Sequence, residues 1–170
     1  MLRVALIGLA LVSCLMGCEC QAKVSPEGKP NNTDVIIAEV SSWQEVDVDS
    51  FIISLPSGWK HEKGHGIDSA FGHFKGDGVV MQYSLGMHSL KLGSIDGASI
   101  EHLKISGKEA KIVLGGADRL ASVHFPEAVI FKEENGEPFA TFKLSIYGKD
   151  LTEDQQKLAV QIFKTIKFKE

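Results

Sequence analysis

The sequence predicts an α+β domain in which a single antiparallel β-sheet packs against helices and an amphipathic helix closes the C-terminal end. Three observations carry this. Val79, Met81, Tyr83 and Leu85 alternate with Val80, Gln82 and Ser84, and Phe142, Leu144 and Ile146 alternate with Thr141, Lys143 and Ser145. A period of two gives a sheet one buried face. In TEDQQKLAVQIFKTIK, residues 152–167, the apolar residues instead recur at helical spacing.

In chain order the first segment is Phe51-Ile-Ile-Ser-Leu55, apolar on both sides, which predicts a central strand covered on both faces. Pro56, Ser57 and Gly58 end it. The segment before it, from Val35 to Ser42, fits helix and strand equally well. Further on, Leu103 and Ile105 alternate with His102 and Lys104. Ser106-Gly107-Lys108 then turns into a partner run ending at Leu114, a hairpin signature. The helix begins with a capping box, Thr152 and Gln155, which satisfies its first orphan amides. Glu153 and Asp154 lie at the positive end of its dipole, with Lys164 and Lys167 near the negative end. Leu158, Ala159, Ile162, Phe163 and Ile166 share one face, and Phe163 is the expected anchor on the sheet.

The first twenty residues are a different material. Arg3 precedes an almost unbroken apolar run from Val4 to Met16. That run is shorter than the ~17–25 residues a membrane-spanning helix needs, so it reads as the core of an export signal. Leu15-Met16-Gly17-Cys18 matches a lipobox, in which a small residue precedes a cysteine whose thiolate accepts a lipid. Leu11-Val12-Ser13-Cys14 is the alternative, but cleavage there would leave a signal shorter than the usual ~15–30 residues. The expected organisation is therefore a signal peptide over 1–17, a lipidated tether over 18–34 and one domain over 35–170. The tether, ECQAKVSPEGKPNNTD from Glu19 on, is polar, carries two prolines and has no hydrophobic period. Export to a bacterial cell envelope and anchorage to a membrane through an N-terminal lipid follow.

Composition narrows the chemistry. Cys14, Cys18 and Cys20 are the three cysteines, so the domain has no thiol for catalysis, metal ligation or disulfides. With 18 basic against 22 acidic residues and no basic block, nucleic acid is not an expected partner. The chain carries no G-x-S-x-G elbow, phosphate-binding loop or dinucleotide fingerprint.

His61-Glu62-Lys63-Gly64-His65 satisfies the letters of the H-E-x-x-H zinc-protease signature. That signature works only on a helix, where both histidines share a face and the glutamate acts on metal-bound water. Here Pro56 and Gly58 lie upstream, Gly64 is internal and Gly66 follows. Each interior glycine costs about 1 kcal/mol of helix relative to alanine. The extended signature would also need glycine at 68 and histidine at 71, where this chain has Asp68 and Phe71. The stretch reads as a solvated loop between two strands. A looser metal set remains as the alternative: His61, His65, Asp68, His73 and His88 could ligate zinc or copper in a metal-dependent hydrolase or metal-binding protein. His102 and His124 read as outward residues on strands. Trp59 is a candidate for stacking on a ligand or for the core, and Gly72 and Gly86 mark bulges or close backbone approach.

Four stretches, FIISLPSGWK (51–60), GIDSAFGHF (66–74), VVMQYSLG (79–86) and TEDQQKLAVQIFKTIKF (152–168), together resemble bacterial lipoproteins of the Mog1/PsbP-like type. In that family a strand ends in LP-x-GW, two more strands follow, and a late amphipathic helix runs into a short I-K-F strand. The resemblance covers roughly Ser50 to Phe168 and implies an α/β/α sandwich used for binding or assembly. Plant PsbP attaches to photosystem II and Mog1 binds a nuclear-transport GTPase, but no binding residue of either maps onto this chain. The expectation is a non-enzymatic envelope module without a cofactor, its partner an envelope protein or a small ligand.

Overall fold

The computed structural model describes residues 42–64, 66, 69–89 and 95–169. The expected signal peptide and tether, both lipidation candidates Cys18 and Cys14, and the metal candidates His65 and Asp68 lie outside these residues.

The described chain forms ten strands and one helix: β1 Trp43–Val48, β2 Phe51–Pro56, β3 Lys60–Lys63, β4 Ala70–Gly76, β5 Val79–Gly86, β6 Ala98–Ile105, β7 Lys108–Gly115, β8 Leu120–Lys132, β9 Pro138–Gly148, α1 Glu153–Lys164 and β10 Lys167–Phe168. They make two antiparallel sheets, a seven-stranded one in the order β3-β4-β5-β9-β8-β7-β6 and a three-stranded one in the order β1-β2-β10. The expected single sheet between helices, an α/β/α sandwich, is therefore corrected: the described residues are mostly β, with two sheets and one helix. The reason lies in Phe51–Leu55. Phe51, Ile53 and Leu55 are fully buried, but Ile52 and Ser54 on the other face are only half-buried. That face lies under ion pairs from Lys167 to Glu45 and from Lys169 to Asp47. The strand is central, but to a small second sheet with one charged side.

The alternation in β5 and β9 does what it predicts. Val79, Met81, Tyr83, Leu85, Leu144 and Ile146 are buried on one face of the large sheet, where β7 adds Ala110 and Ile112 and β8 adds Ala121, Val123 and Phe125. Helix α1 packs against β8 and β2, with Ala159, Ile162 and Phe163 buried. The capping box is present: Gln155 N–H donates to Thr152 Oγ1 at 3.3 Å, and Thr152 N–H donates to Gln155 Oε1 at 2.9 Å. The three-stranded sheet joins the same core. Phe51 meets Tyr83 edge-on with centroids 5.9 Å apart, and Phe168 meets Phe125 at 5.0 Å. The β6–β7 hairpin turns at Ser106 and Gly107, both with positive φ, as a two-residue primed turn requires.

The other face of the large sheet departs from a simple polar surface. β5 sits beside β4 and β9, whereas β6 is the far edge, so the chain after β5 must pass β9, β8 and β7 to enter β6. Ser89 in that connection hydrogen-bonds Ser145 of β9, Oγ to Oγ at 2.7 Å. Ser145, a polar residue on the nominal solvent side, is buried there, and Ser122 on the same side is buried as well.

Phe163 lies at the centre of this arrangement, fully buried between β8 and β2. Phe163→Ala should cost about 3–5 kcal/mol, the range for emptying a large core site. Thr152→Ala at the exposed cap should cost about 1 kcal/mol. Urea midpoints followed by circular dichroism read both, and equal losses in the two variants would contradict this account of the core.

Candidate functional site

The sequence-derived candidates converge on β3, β4 and β5. His61 and Glu62 lie in β3, an extended strand rather than the expected solvated loop, because they pair with β4 in the register His61↔Phe74 and Glu62↔His73. Consecutive strand residues face opposite ways and paired residues face the same way. His61 therefore lies on the core face with Phe74, and Glu62 and His73 lie together on the outer face. His61 and His73 cannot approach a common ion. His88 is exposed in the turn after β5. Among the described residues no group of three or more histidine, aspartate or glutamate side chains is arranged to hold a metal.

What the structure gives His61 instead is a partner in the core. Its Nε2 lies 3.0 Å from the Tyr83 hydroxyl, and its ring packs 5.3 Å from Phe74 and 5.6 Å from Tyr83. Tyr83 reaches it because Gly72 intervenes on β4: a Cβ at position 72 would stand 2.6 Å from the Tyr83 ring. Burial pushes the Tyr83 hydroxyl up to about 12, with Asp49 adding to it, so it stays protonated. Burial also lowers the His61 pKa; Asp49 opposes this and Lys63 assists it. A neutral imidazole accepting through Nε2 carries its proton on Nδ1.

The remaining polar groups are similarly committed. Lys75 donates to Glu62 and lowers its pKa, and Lys63 donates to Asp49 with the same effect. Trp59 is buried, its indole lying over Gly76, and its Nε1–H donates to Asp77 at 2.8 Å. The core reading of Trp59 is the one that fits. On the outer face, His124 Nδ1 lies 2.8 Å from Ser145 Oγ, and Tyr147 donates to Gln82 at 2.7 Å. His102 is exposed, as its alternation predicts, but His124 is half-buried. Ser89, Ser145 and His124, linked through Ser145 Oγ, were not legible as a cluster. Their proximity follows from strand order, for which the sequence carries no local signal.

Two surface features could receive a ligand. An open groove of about 520 Å³ runs between Leu114 of β7 and Glu153, Gln156, Lys157, Val160 and Gln161 of α1. Its walls are chiefly apolar, and none of these residues is fully buried. The second is the distal half of the β8–β9 hairpin. β7 pairs with β8 only up to His124, and β5 pairs with β9 only from Lys143 onward. Residues 126–142 therefore continue as a two-stranded arm beyond both neighbours. It exposes Ile130 (39%), Phe131 (38%) and Phe139 (65%). Sequence reasoning passed over this arm, although IFKEENGEPF (residues 130–139) sets apolar residues on both sides of an acidic Asn-Gly turn.

Comparison with protein-family models, curated proteins and solved structures finds no match. The likeness to Mog1/PsbP-like lipoproteins thus rests on the quoted motifs alone.

The His61–Tyr83 pair has a pH signature. A histidine whose folded pKa is depressed contributes its full stabilisation above the unfolded value of about 6.5. That contribution is lost as pH falls from there through the folded pKa, because the unfolded chain takes up the proton first. The urea midpoint should therefore drop between pH 7.5 and 5, and His61→Gln should flatten that slope. Asp49 and Glu62, held below the usual carboxylate range, lose their contributions only below about pH 4. A wild-type slope unchanged in His61→Gln would contradict the assignment of that slope to His61.

Proposed function

We propose that this chain is a lipid-anchored, non-enzymatic binding or assembly module of a bacterial cell envelope. The export run ending in Leu15-Met16-Gly17-Cys18, with lipid on Cys18, supports the location. A single acyl chain binds membranes only marginally, so the several chains of a bacterial lipoprotein suit durable attachment. The polar stretch over residues 18–34 would hold the domain away from the lipid. The partners are the membrane, through the lipid, and an envelope protein or small ligand, through the domain.

The observation that carries the binding role is the projecting arm. Three of the seven large hydrophobic residues exposed among the described residues fall within ten positions, Ile130, Phe131 and Phe139. A soluble surface scatters such residues singly; here Phe131 and Phe139 meet at 6.1 Å, with Ile130 on the opposite face of the same ribbon, and such gathering marks a contact site. Two ionisable groups of β3, by contrast, already have partners: His61 lies against Tyr83, and Glu62 forms a surface ion pair with Lys75. The metal-dependent alternative gains no support from geometry, since β3 and β4 put His61 and His73 on opposite faces.

Two measurements test the reading. In bacterial cells the full chain should partition into detergent on phase separation, Cys18→Ser should move to the aqueous phase, and Cys14→Ser should stay with the detergent. After equilibration with zinc or copper and dialysis, the purified chain should hold well under one metal per molecule. Near-stoichiometric metal that disappears in His61→Ala would overturn the non-enzymatic reading.

A further inference from the structure

We infer that the β8–β9 arm docks into a protein partner whose contact surface is an apolar pocket rimmed by lysine and arginine. This rests on the binding-module reading and specifies its surface and the chemistry of its partner.

The arm's apolar side is an extension of the core. Its register is Val129↔Phe142, Ile130↔Thr141, Phe131↔Ala140 and Lys132↔Pro138. Val129, Phe131, Ala140 and Phe142 therefore share one face, and by alternation along β9 that face continues into Leu144 and Ile146. Val129 and Phe142 still pack against the core cluster. Phe131 then meets Phe142 edge-on at 4.7 Å, and Phe139 lies 6.1 Å beyond. Side-chain contact thus runs from the buried sheet to a tip where Phe139 is 65% exposed. A two-stranded ribbon is marginal by itself, so seating its base in the core gives the tip a fixed direction.

The charge at the tip selects the partner. Glu133, Glu134 and Glu137 stand in the turn against one nearby cation, Lys132. The turn is ordered by its own bonds: Gly136 N–H to Glu133 O at 2.9 Å, Glu137 N–H to Asn135 Oδ1 at 2.8 Å, and Asn135 Nδ2 to Glu133 Oε2 at 3.3 Å. Many carboxylates elsewhere on the surface are matched, among them Glu45 with Lys167, Asp47 with Lys169, Asp49 with Lys63, Glu62 with Lys75 and Asp118 with Lys149. Among the described residues no lysine or arginine forms an ion pair with a carboxylate of the arm. A basic rim complements both parts of the tip, because it neutralises the glutamates and lays cations over the faces of Phe131 and Phe139.

The other occupants fit less well. Anionic leaflets attract basic segments and repel an acidic one. A second copy would bring the same negative turn. Strand addition to the arm's open edges meets Pro126 and Pro138, which lack an N–H, and the irregular pairing between Phe125 and Val129.

The test places benzoylphenylalanine at position 139 of the full, lipid-bearing chain in its host cells. The same probe at Val80, Met87 and Ile100, exposed positions off the arm, gives the comparison. The expected result is a protein adduct at 139 whose mapped contact peptide is enriched in lysine and arginine. Glu133→Lys/Glu134→Lys/Glu137→Lys should cut its yield at least tenfold without moving the urea midpoint, and Phe131→Ser should cut it as far, with a lowered midpoint from the lost contact with Phe142. An adduct to lipid, to a second copy, or to a peptide without basic residues overturns the inference and leaves the binding module standing. So does an adduct at 80, 87 or 100 with none at 139. No adduct at any position overturns both.

Discussion

One apolar face governs this domain, the side of the seven-stranded sheet that carries Phe74, Met81, Tyr83, Leu85, Val123, Phe125, Leu144 and Ile146. A sheet of that breadth cannot leave such a face in water. At about 25 cal/mol per Å² of apolar surface, its cover is the main favourable contribution to folding. The cover comes from two short pieces used side by side. Phe51, Ile53 and Leu55 arrive on β2, and Ala159, Ile162 and Phe163 arrive on α1. Thr165 holds the two together, its hydroxyl accepting from Ser54 N–H at 2.9 Å. β10 then returns the chain to β2, pairing Lys167 with Ile52 and Phe168 with Phe51.

The same constraint decides the fate of the candidate chemistry. In a strand, neighbouring residues part company across the sheet, so the letters His61-Glu62 deliver one group to the core and the other to solvent. Once on the core side, His61 is in a desolvated position where a charged imidazole is disfavoured, and the protonated Tyr83 hydroxyl suits the neutral form. A zinc-protease motif needs the opposite local structure, a helix turn that aligns its two histidines. Backbone geometry excludes that here at residues 61–63.

Legibility in the sequence followed the range of the interaction. The helix, its cap and the alternation of β5 and β9 depend on residues within a few positions of one another, and each stands where the pattern puts it. The Ser106-Gly107 turn is equally local. Two sheets instead of one, and the burial of Ser145, were illegible because they depend on strand order. Ser89 meets Ser145 across 56 positions of sequence, and serine is as ordinary on a solvent face as under a crossing connection. Ile52 misled for a related reason. An apolar residue on the second face of a strand signals burial, yet here it is half-covered by β1 and β10 and the ion pairs between them. The arm lay within reach of local reading, since its turn residues and aromatics are contiguous. Alternation alone, however, does not reveal which strands run past their neighbours.

That overrun sets the arm apart from other exposed apolar positions. Trp43, Val80 and Ile100 sit on strands β1, β5 and β6, each paired to a neighbour and each without the others nearby in sequence. Phe131 and Phe139 sit where β8 and β9 have only each other, so no neighbouring strand shares the burden of covering them. Shortening the hairpin to the end of its neighbours would remove the exposed rings and leave intact the pairing that builds the sheet. The core uses Ala128, Val129 and Phe142 at the base of the arm, but not the exposed Ile130, Phe131 and Phe139 beyond them. Extra strand length that exposes aromatic rings without serving the core is understood most simply as length for contact with another molecule.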